Sequence, residues 1–386
     1  MTDIERIQAL WRELESAGAD YVLTTVVGVE GPSYRKPGAL MLITADGRRA
    51  GTVSGGCLEA EVASRAWWLT KDGPTVERYS TADDDGDRPY GSGCGGTVIL
   101  LLERSATARV LLGALDRAFT ARSSLAVATI VEGPQTGVRA IAGTASSSAE
   151  GERLSGLAEL AFKAGKPMES LLDVDGAPTR VWCDFRPART GLWVFGAGDD
   201  ARPLVRLAKE LGWFVVLADG RSHLATRERF PLADDTRVLA MNESARQPAN
   251  LLGPIQPHDV AVVMSHSFEQ DSRVLAALLA GGVAVSYLGV LGPQRRTQEL
   301  LAEAAALAGY TQELIPEQAE EWLTRLHAPT GLDLGAESPE TVALSIVAEI
   351  QKVLAGATAL PLREVRAVQA PQEADPIAAS AASSAL

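Results

Sequence analysis

Residues 191–219 read GLWVFGAGDDARPLVRLAKELGWFVVLAD, and the fold is decided there. The apolar run 192–195 predicts a buried strand, and Gly196-Ala197-Gly198 a tight turn. A helix follows, with apolar residues at Leu204, Val205, Leu207, Ala208 and Leu211, and then a second strand over 214–217. Asp219 closes that strand, about 20 residues after the turn. This order is the dinucleotide-fold layout: glycines let the backbone approach a pyrophosphate at a helix N-terminus, and the acid meets a ribose. Ala201 stands where a third glycine is common. The layout predicts a Rossmann-like parallel sheet and leaves its ligand open.

Strands and helices go on alternating downstream, the pattern of a parallel sheet. Strands are predicted near 236–240, over 259–264 and over 283–288, with a helix from about 271 to 279. His266 falls just past a strand end, where ligands bind in open α/β sheets. It reads either as a ligand-contacting acid/base, with Asp271 as its partner, or as a capping histidine. Pro293 suits a first helical turn, and Arg295-Arg296 at that helix start suit an anion. Ser338-Pro339-Glu340 read as cap and first turn of a helix over 341–354. The Ala/Ser-rich tail, 369–386, is expected to be disordered.

The N-terminal half predicts a mixed α+β domain. A helix over 4–17 ends at Gly18, and a strand over 21–29 leads into a Gly/Pro-rich loop, 31–38, that carries Arg35. A strand over 39–44 turns at Asp46-Gly47, a strong hairpin signal, and returns to Val53. Ser54-Gly55-Gly56-Cys57-Leu58-Glu59 then opens a helix that buries Val62, Ala66, Trp67 and Leu69. The acidic stretch 83–87 reads as a solvated turn, because Cys94 stands where a calcium loop needs its bidentate Glu. A second glycine–cysteine loop, 91–96, leads into a strand over 97–102. Beyond it, helices are predicted over 106–119 and 154–164 and strands over 125–131, 138–142 and 179–185, with a polar loop at 145–150 and a linker at 186–190. The division expected is therefore 1–187 and 191–325, with helices from 329–365 as candidates to complete the first domain.

Cys57 follows two glycines at the mouth of a predicted helix, where dipole and free N–H groups lower a thiol's pKa. It reads either as a thiolate able to bind molybdenum or carry sulfur, or as a small residue packed under a turn. Cys94 sits among glycines but precedes a strand, and Cys183 reads as structural. Arg35 is either an anion contact or a solvated side chain. Asp219 suits a ribose hydroxyl, while Arg221 suits a phosphate in its place.

Composition sets outer limits. The 386 residues, 46% hydrophobic and 22% charged, predict a soluble globular protein of two or three domains. A net charge of −13 speaks against sequence-independent nucleic-acid binding. No run reaches the length of a membrane span, and the acidic start Thr2-Asp3-Ile4-Glu5 is unlike a signal peptide. Three cysteines make no disulfide framework and four scattered histidines no metal site, so a reducing cytoplasm is expected. A homodimer is the commonest soluble assembly.

Several patches together resemble the xanthine dehydrogenase accessory factor family (XdhC/CoxI). Gly31-Pro32-Ser33-Tyr34-Arg35-Lys36-Pro37-Gly38-Ala39 is similar to its G-S-x-x-R-x-x-G-A loop, with Pro32 in place of serine. Gly51-Thr52-Val53-Ser54-Gly55-Gly56-Cys57-Leu58-Glu59 matches G-T-x-S-G-G-C-x-E, and Gly93-Cys94-Gly95-Gly96 the second cysteine loop. The likeness continues at Gly196-Ala197-Gly198, Asp219-Gly220-Arg221, Arg229-Phe230-Pro231, His266 with Asp271, 287–292, 328–335 and 338–349. It implies a maturation factor that binds the molybdenum cofactor (molybdopterin) as cargo, protects it and delivers it to an apo molybdenum hydroxylase of the xanthine or CO dehydrogenase type. A cysteine desulfurase is a further implied partner. The cofactor-binding residues expected are Arg35, Ser54, Gly55, Gly56, Cys57, Cys94, Gly95, Gly196, Gly198, Asp219, Arg221 and His266, around a cleft between the domains, with no catalytic residue assigned. Two other readings stay open: an NAD(P)-dependent oxidoreductase built on Asp219 and His266, and a non-catalytic scaffold.

Overall fold

The computed structural model describes residues 2–56, 58–80, 96–174, 176–241 and 251–369. Cys57, Cys94, Gly95, the acidic stretch 83–87 and the tail from 370 lie outside the described residues. Two compact units are present: 1–197 with 205–239, and 198–204 with 240–386.

In the first unit, helix α1 (Asp3–Ala17) starts on a Thr2/Glu5 capping box and stops at Gly18, whose φ of 62° supplies the left-handed cap. Strands β1 (Tyr21–Glu30), β2 (Leu40–Thr44), β3 (Arg49–Gly51), β4 (Thr75–Ser80) and β5 (Thr97–Arg104) form an antiparallel sheet in the order β3-β2-β1-β5-β4. Alternation along β1 sends Tyr21 and Leu23 to one face and Val22 and Val26 to the other. The first pair packs with α1 and α3 (Ser105–Ala121), the second with Val62 and Ala66 of α2 (Glu59–Leu69). With both faces covered, β1 buries all of its first eight residues, Thr24 and Thr25 included, which is why its sequence does not alternate.

A second antiparallel sheet, β7-β6-β9-β8, is built from β6 (Leu125–Ile130), β7 (Arg139–Ile141), β8 (Met168–Val174) and β9 (Ala177–Arg186). Helix α4 (Ala149–Ala164) seals it with Leu154, Ala158 and Ala161. Strands β4 and β8 are absent from the sequence reading, since both are edge strands that mix polar with apolar residues and are only partly buried. The expected linker is also firmer than a linker: Arg189, 10% exposed, donates to the carbonyls of Gly212 and Trp213 and pairs with Glu5.

The third sheet is the parallel one, ordered β12-β11-β10-β13-β14. Its strands are β10 (Gly191–Phe195), β11 (Phe214–Asp219), β12 (Asp235–Val238), β13 (Val260–Val263) and β14 (Tyr287–Val290), with α5 (Ala201–Glu210) and α6 (Phe268–Leu279) between them. The opening unit, read from 191–219, stands as expected. The last strand begins four residues later than expected, because Val283 closes the end of α6 through Leu278 and pairing starts at Tyr287, opposite Val260. Helices α7 (Gln294–Leu307), α8 (Ile315–Leu323), α9 (Pro339–Ala355) and α10 (Leu362–Gln369) follow. Pro293 is the N-cap of α7 instead of lying in its first turn, while Ser338 and Pro339 cap and open α9 as read. Among the described residues no helix is long and apolar enough to cross a membrane.

Candidate functional site

Strand register brings the motif loops to one end of the first sheet. Glu30 at the end of β1 and Ser80 at the end of β4 both pair with Thr97, the first residue of β5. Gly51 at the end of β3 pairs with Met41 near the start of β2. The ends of β1, β3 and β4 and the start of β5 therefore lie on the same side of the sheet. Where residues of loops 31–39, 52–58 and 81–96 are described, they touch. A Cβ at Gly55 would meet the Tyr34 ring at 3.7 Å, and one at Gly96 would lie 2.1 Å from the Pro32 carbonyl oxygen. Only glycine fits at position 96.

Glu59, 7% exposed, organises the middle loop. Its Oε1 accepts from the Val53 and Ser54 N–H groups at 3.1 and 2.8 Å, and its Oε2 from the Ser54 hydroxyl at 2.6 Å. Ser54 Oγ accepts in turn from the N–H of Gly56 and of Leu58, at 3.1 and 3.2 Å. The chain on either side of position 57 is thus gathered onto one hydroxyl, with Gly55 and Gly56 left exposed. Burial pushes the Glu59 pKa up, but the Ser54 hydroxyl and the backbone donors outweigh it and hold the carboxyl below its usual value. Arg35, half-buried, is already paired: its guanidinium meets Asp3 at 2.5 Å and the Thr52 hydroxyl. It ties loop 31–39 to α1 and to loop 52–58.

The glycine turn is closed by its own acid. Asp219 is fully buried. Oδ1 accepts from Arg221 N and Nε at 2.8 and 2.9 Å, and Oδ2 from Ala197 N and Arg221 Nη2, both at 2.8 Å. A carboxylate offers about four lone-pair sites. All are filled, leaving none for a ribose hydroxyl. Burial raises the Asp219 pKa, and the Arg221 and backbone hydrogen bonds more than reverse it. Gly196, with φ 139°, donates its N–H to Ala218 O, so two N–H groups of the turn point into the protein. A nicotinamide dinucleotide held through this acid does not fit the residues present.

In the second unit, His266 has φ 59°, unusual for a residue with a Cβ. Its Nε2 lies 2.9 Å from Asp200 Oδ2, and the carboxylate partner places the proton on that nitrogen. A Cβ at Gly198 would approach Asp200 Oδ1 to 2.4 Å, so this glycine leaves room for the carboxylate. Asp271 is not the histidine's partner. Fully buried, it accepts from Ser265 Oγ at 2.5 Å and from Arg296 Nη2 at 2.7 Å. Arg296 is thereby committed to an internal pair, and the exposed Arg295 binds Glu299.

Burial pushes the Cys183 thiol up to about 11, which fits a structural residue. Among the described residues no three His, Cys, Asp or Glu side chains are grouped to hold a metal ion. The structure thus joins Arg35 to Thr52, Asp219 to Ala197 and Arg221, and His266 to Asp200 beside Gly198. Missing from the sequence reading are Asp200, hidden in the helix-opening pair Asp199-Asp200, and the clamping role of Glu59, whose six-residue distance from Val53 marks a loop folding back on itself.

Two family models match this arrangement: one for the XdhC and CoxI family over residues 14–80, and one for the XdhC Rossmann domain over residues 192–350. The chain belongs to the XdhC/CoxI family. It is similar to a Bacillus subtilis strain 168 protein named as a probable xanthine dehydrogenase subunit, 29% identical over 89% of this chain and 95% of that one. It is also similar to the molybdenum cofactor insertion chaperone PaoD of Escherichia coli K12, 26% identical over 87% and 84% of the two chains. A crystal structure described as a xanthine dehydrogenase from Bacillus halodurans superposes with a TM-score of 0.67 at 27% identity, covering 95% of this chain and all of that one. In this XdhC/CoxI chain the matched N-terminal segment spans loops 31–39 and 52–58, and the Rossmann match spans the glycine turn and His266.

Proposed function

We propose that this XdhC/CoxI protein carries the molybdenum cofactor as cargo, shields it, and delivers it to an apo molybdenum hydroxylase of the xanthine or CO dehydrogenase type. The observation that carries the reading is the Glu59–Ser54 clamp, which fixes the chain on both sides of position 57 and keeps two glycines exposed beside it. A thiolate there is a soft ligand for molybdenum or a relay for its terminal sulfur. A cysteine desulfurase is the fitting sulfur donor, a cytoplasmic homodimer the fitting form, and residues 1–187 and 191–325 the working modules. PaoD, named as an insertion chaperone, supports the same role.

Two relatives carry xanthine dehydrogenase in their names. Purification from a molybdenum-replete host tests the reading through bound molybdopterin and metal per chain, followed by transfer to an apo-hydroxylase. Stoichiometric pterin and restored hydroxylase activity are expected; a chain free of both pterin and metal sinks the proposal.

A further inference from the structure

Tyr34 has the most exposed aromatic ring among the described residues, at 74%. The other described tyrosines are placed differently: Tyr21, Tyr79 and Tyr287 are buried, and Tyr310 packs edge-on against Trp322. The backbone on either side of Tyr34 is tied down. Ser33 Oγ donates to the Arg35 carbonyl at 2.9 Å, Arg35 is pinned by Asp3 and Thr52, and Gly38 N donates to Val26 O at 2.7 Å. The ring lies against the Gly55 backbone, with Cγ and Cδ1 each 3.7 Å from where a Cβ would be. One edge or face is thus held against the glycine–cysteine loop while most of the ring stays in water. Lys36, two residues on, is exposed and forms no ion pair among the described residues.

An anchored, wet aromatic ring beside exposed glycines and a cation fits a planar fused-ring heterocycle carrying a phosphate. The ring supplies a stacking surface that tolerates any flat π-system, the glycines leave room for it, and the ammonium suits the anion. We infer that Tyr34 is the stacking platform for the pterin ring of the cargo, an inference that rests on the carrier reading above.

The test is a fluorescence titration of the full chain with 6-carboxypterin, run beside assays of copurified molybdopterin for wild type, Tyr34→Ala and Tyr34→Phe. Tyr34→Ala is expected to bind the pterin ~10-fold more weakly, the scale of losing one base–aromatic stack. Tyr34→Phe, which keeps the ring, is expected to stay within about twofold. Wild type that fails to bind the probe, Tyr34→Ala that binds like wild type, or Tyr34→Phe that fails as Tyr34→Ala does, each overturns the platform. Molybdopterin carried equally by wild type and Tyr34→Ala removes the platform and leaves the carrier reading intact. A Tyr34-dependent titration on protein that carries no molybdopterin keeps the platform and removes the carrier reading.

Discussion

Two glycine loops in this molecule are each held by one buried carboxylate, and they end up opposite in character. Glu59 gathers residues 53–58 through uncharged donors only and leaves Gly55 and Gly56 facing solvent. Asp219 gathers the backbone of 197 and 221, takes an arginine fork as well, and leaves Gly196 and Ala197 buried. The same device presents one loop and seals the other. A glycine-rich turn followed by an acid is therefore no sign of an open ligand site until the acid's own hydrogen bonds are counted.

The largest effect is expected at Glu59. Glu59→Gln keeps the shape but replaces one acceptor oxygen with a donor, leaving buried N–H or O–H groups of Val53 and Ser54 unpaired, and should cost about 3 kcal/mol in urea unfolding. It should also alter the response to acid. The Glu59 carboxyl lies below its ordinary 4.5 in the folded chain, so its contribution is complete above that value and is lost as pH falls through the lowered pKa. Glu59→Gln should flatten this part of the stability–pH curve; an unchanged curve would mean that the clamp is not what stabilises the loop.

Asp219→Asn should cost less, about 2 kcal/mol, because Arg221 is 44% exposed and can turn to water once its partner is neutral. Thermal unfolding measures it, and a loss larger than that of Glu59→Gln would reverse the comparison. The smallest effect belongs to Gly55→Ala. Its new methyl meets only the Tyr34 ring at 3.7 Å, ordinary van der Waals contact, so stability should change by less than about 0.5 kcal/mol. A cost several times greater would mean that loop 52–58 is tighter than its exposure indicates.

Much of this was legible in the chain. The order of strand, turn, helix and strand over 191–219 follows from apolar runs broken by glycines, and Gly18, Asp46-Gly47 and Ser338-Pro339 mark ends that the backbone honours. Strands β4 and β8 escape because an edge strand need not be apolar. At the candidate sites residue types were readable and partners were not. Spacing places Asp271 near His266, yet the strand end aims the imidazole at Asp200 and buries Asp271 against Ser265 and Arg296. Arg35 likewise looks available in the sequence, and only the fold brings Asp3 and Thr52 to it.

The carrier account depends on loop 52–58 holding the cargo while the glycine turn does not need its acid to do so. Molybdopterin and molybdenum per chain, measured on Cys57→Ser and Asp219→Asn proteins from the same molybdenum-replete host, test that directly. The account predicts that Cys57→Ser loses the cofactor and that Asp219→Asn, where folded, keeps it. Full retention by Cys57→Ser, or loss by folded Asp219→Asn alone, would contradict it.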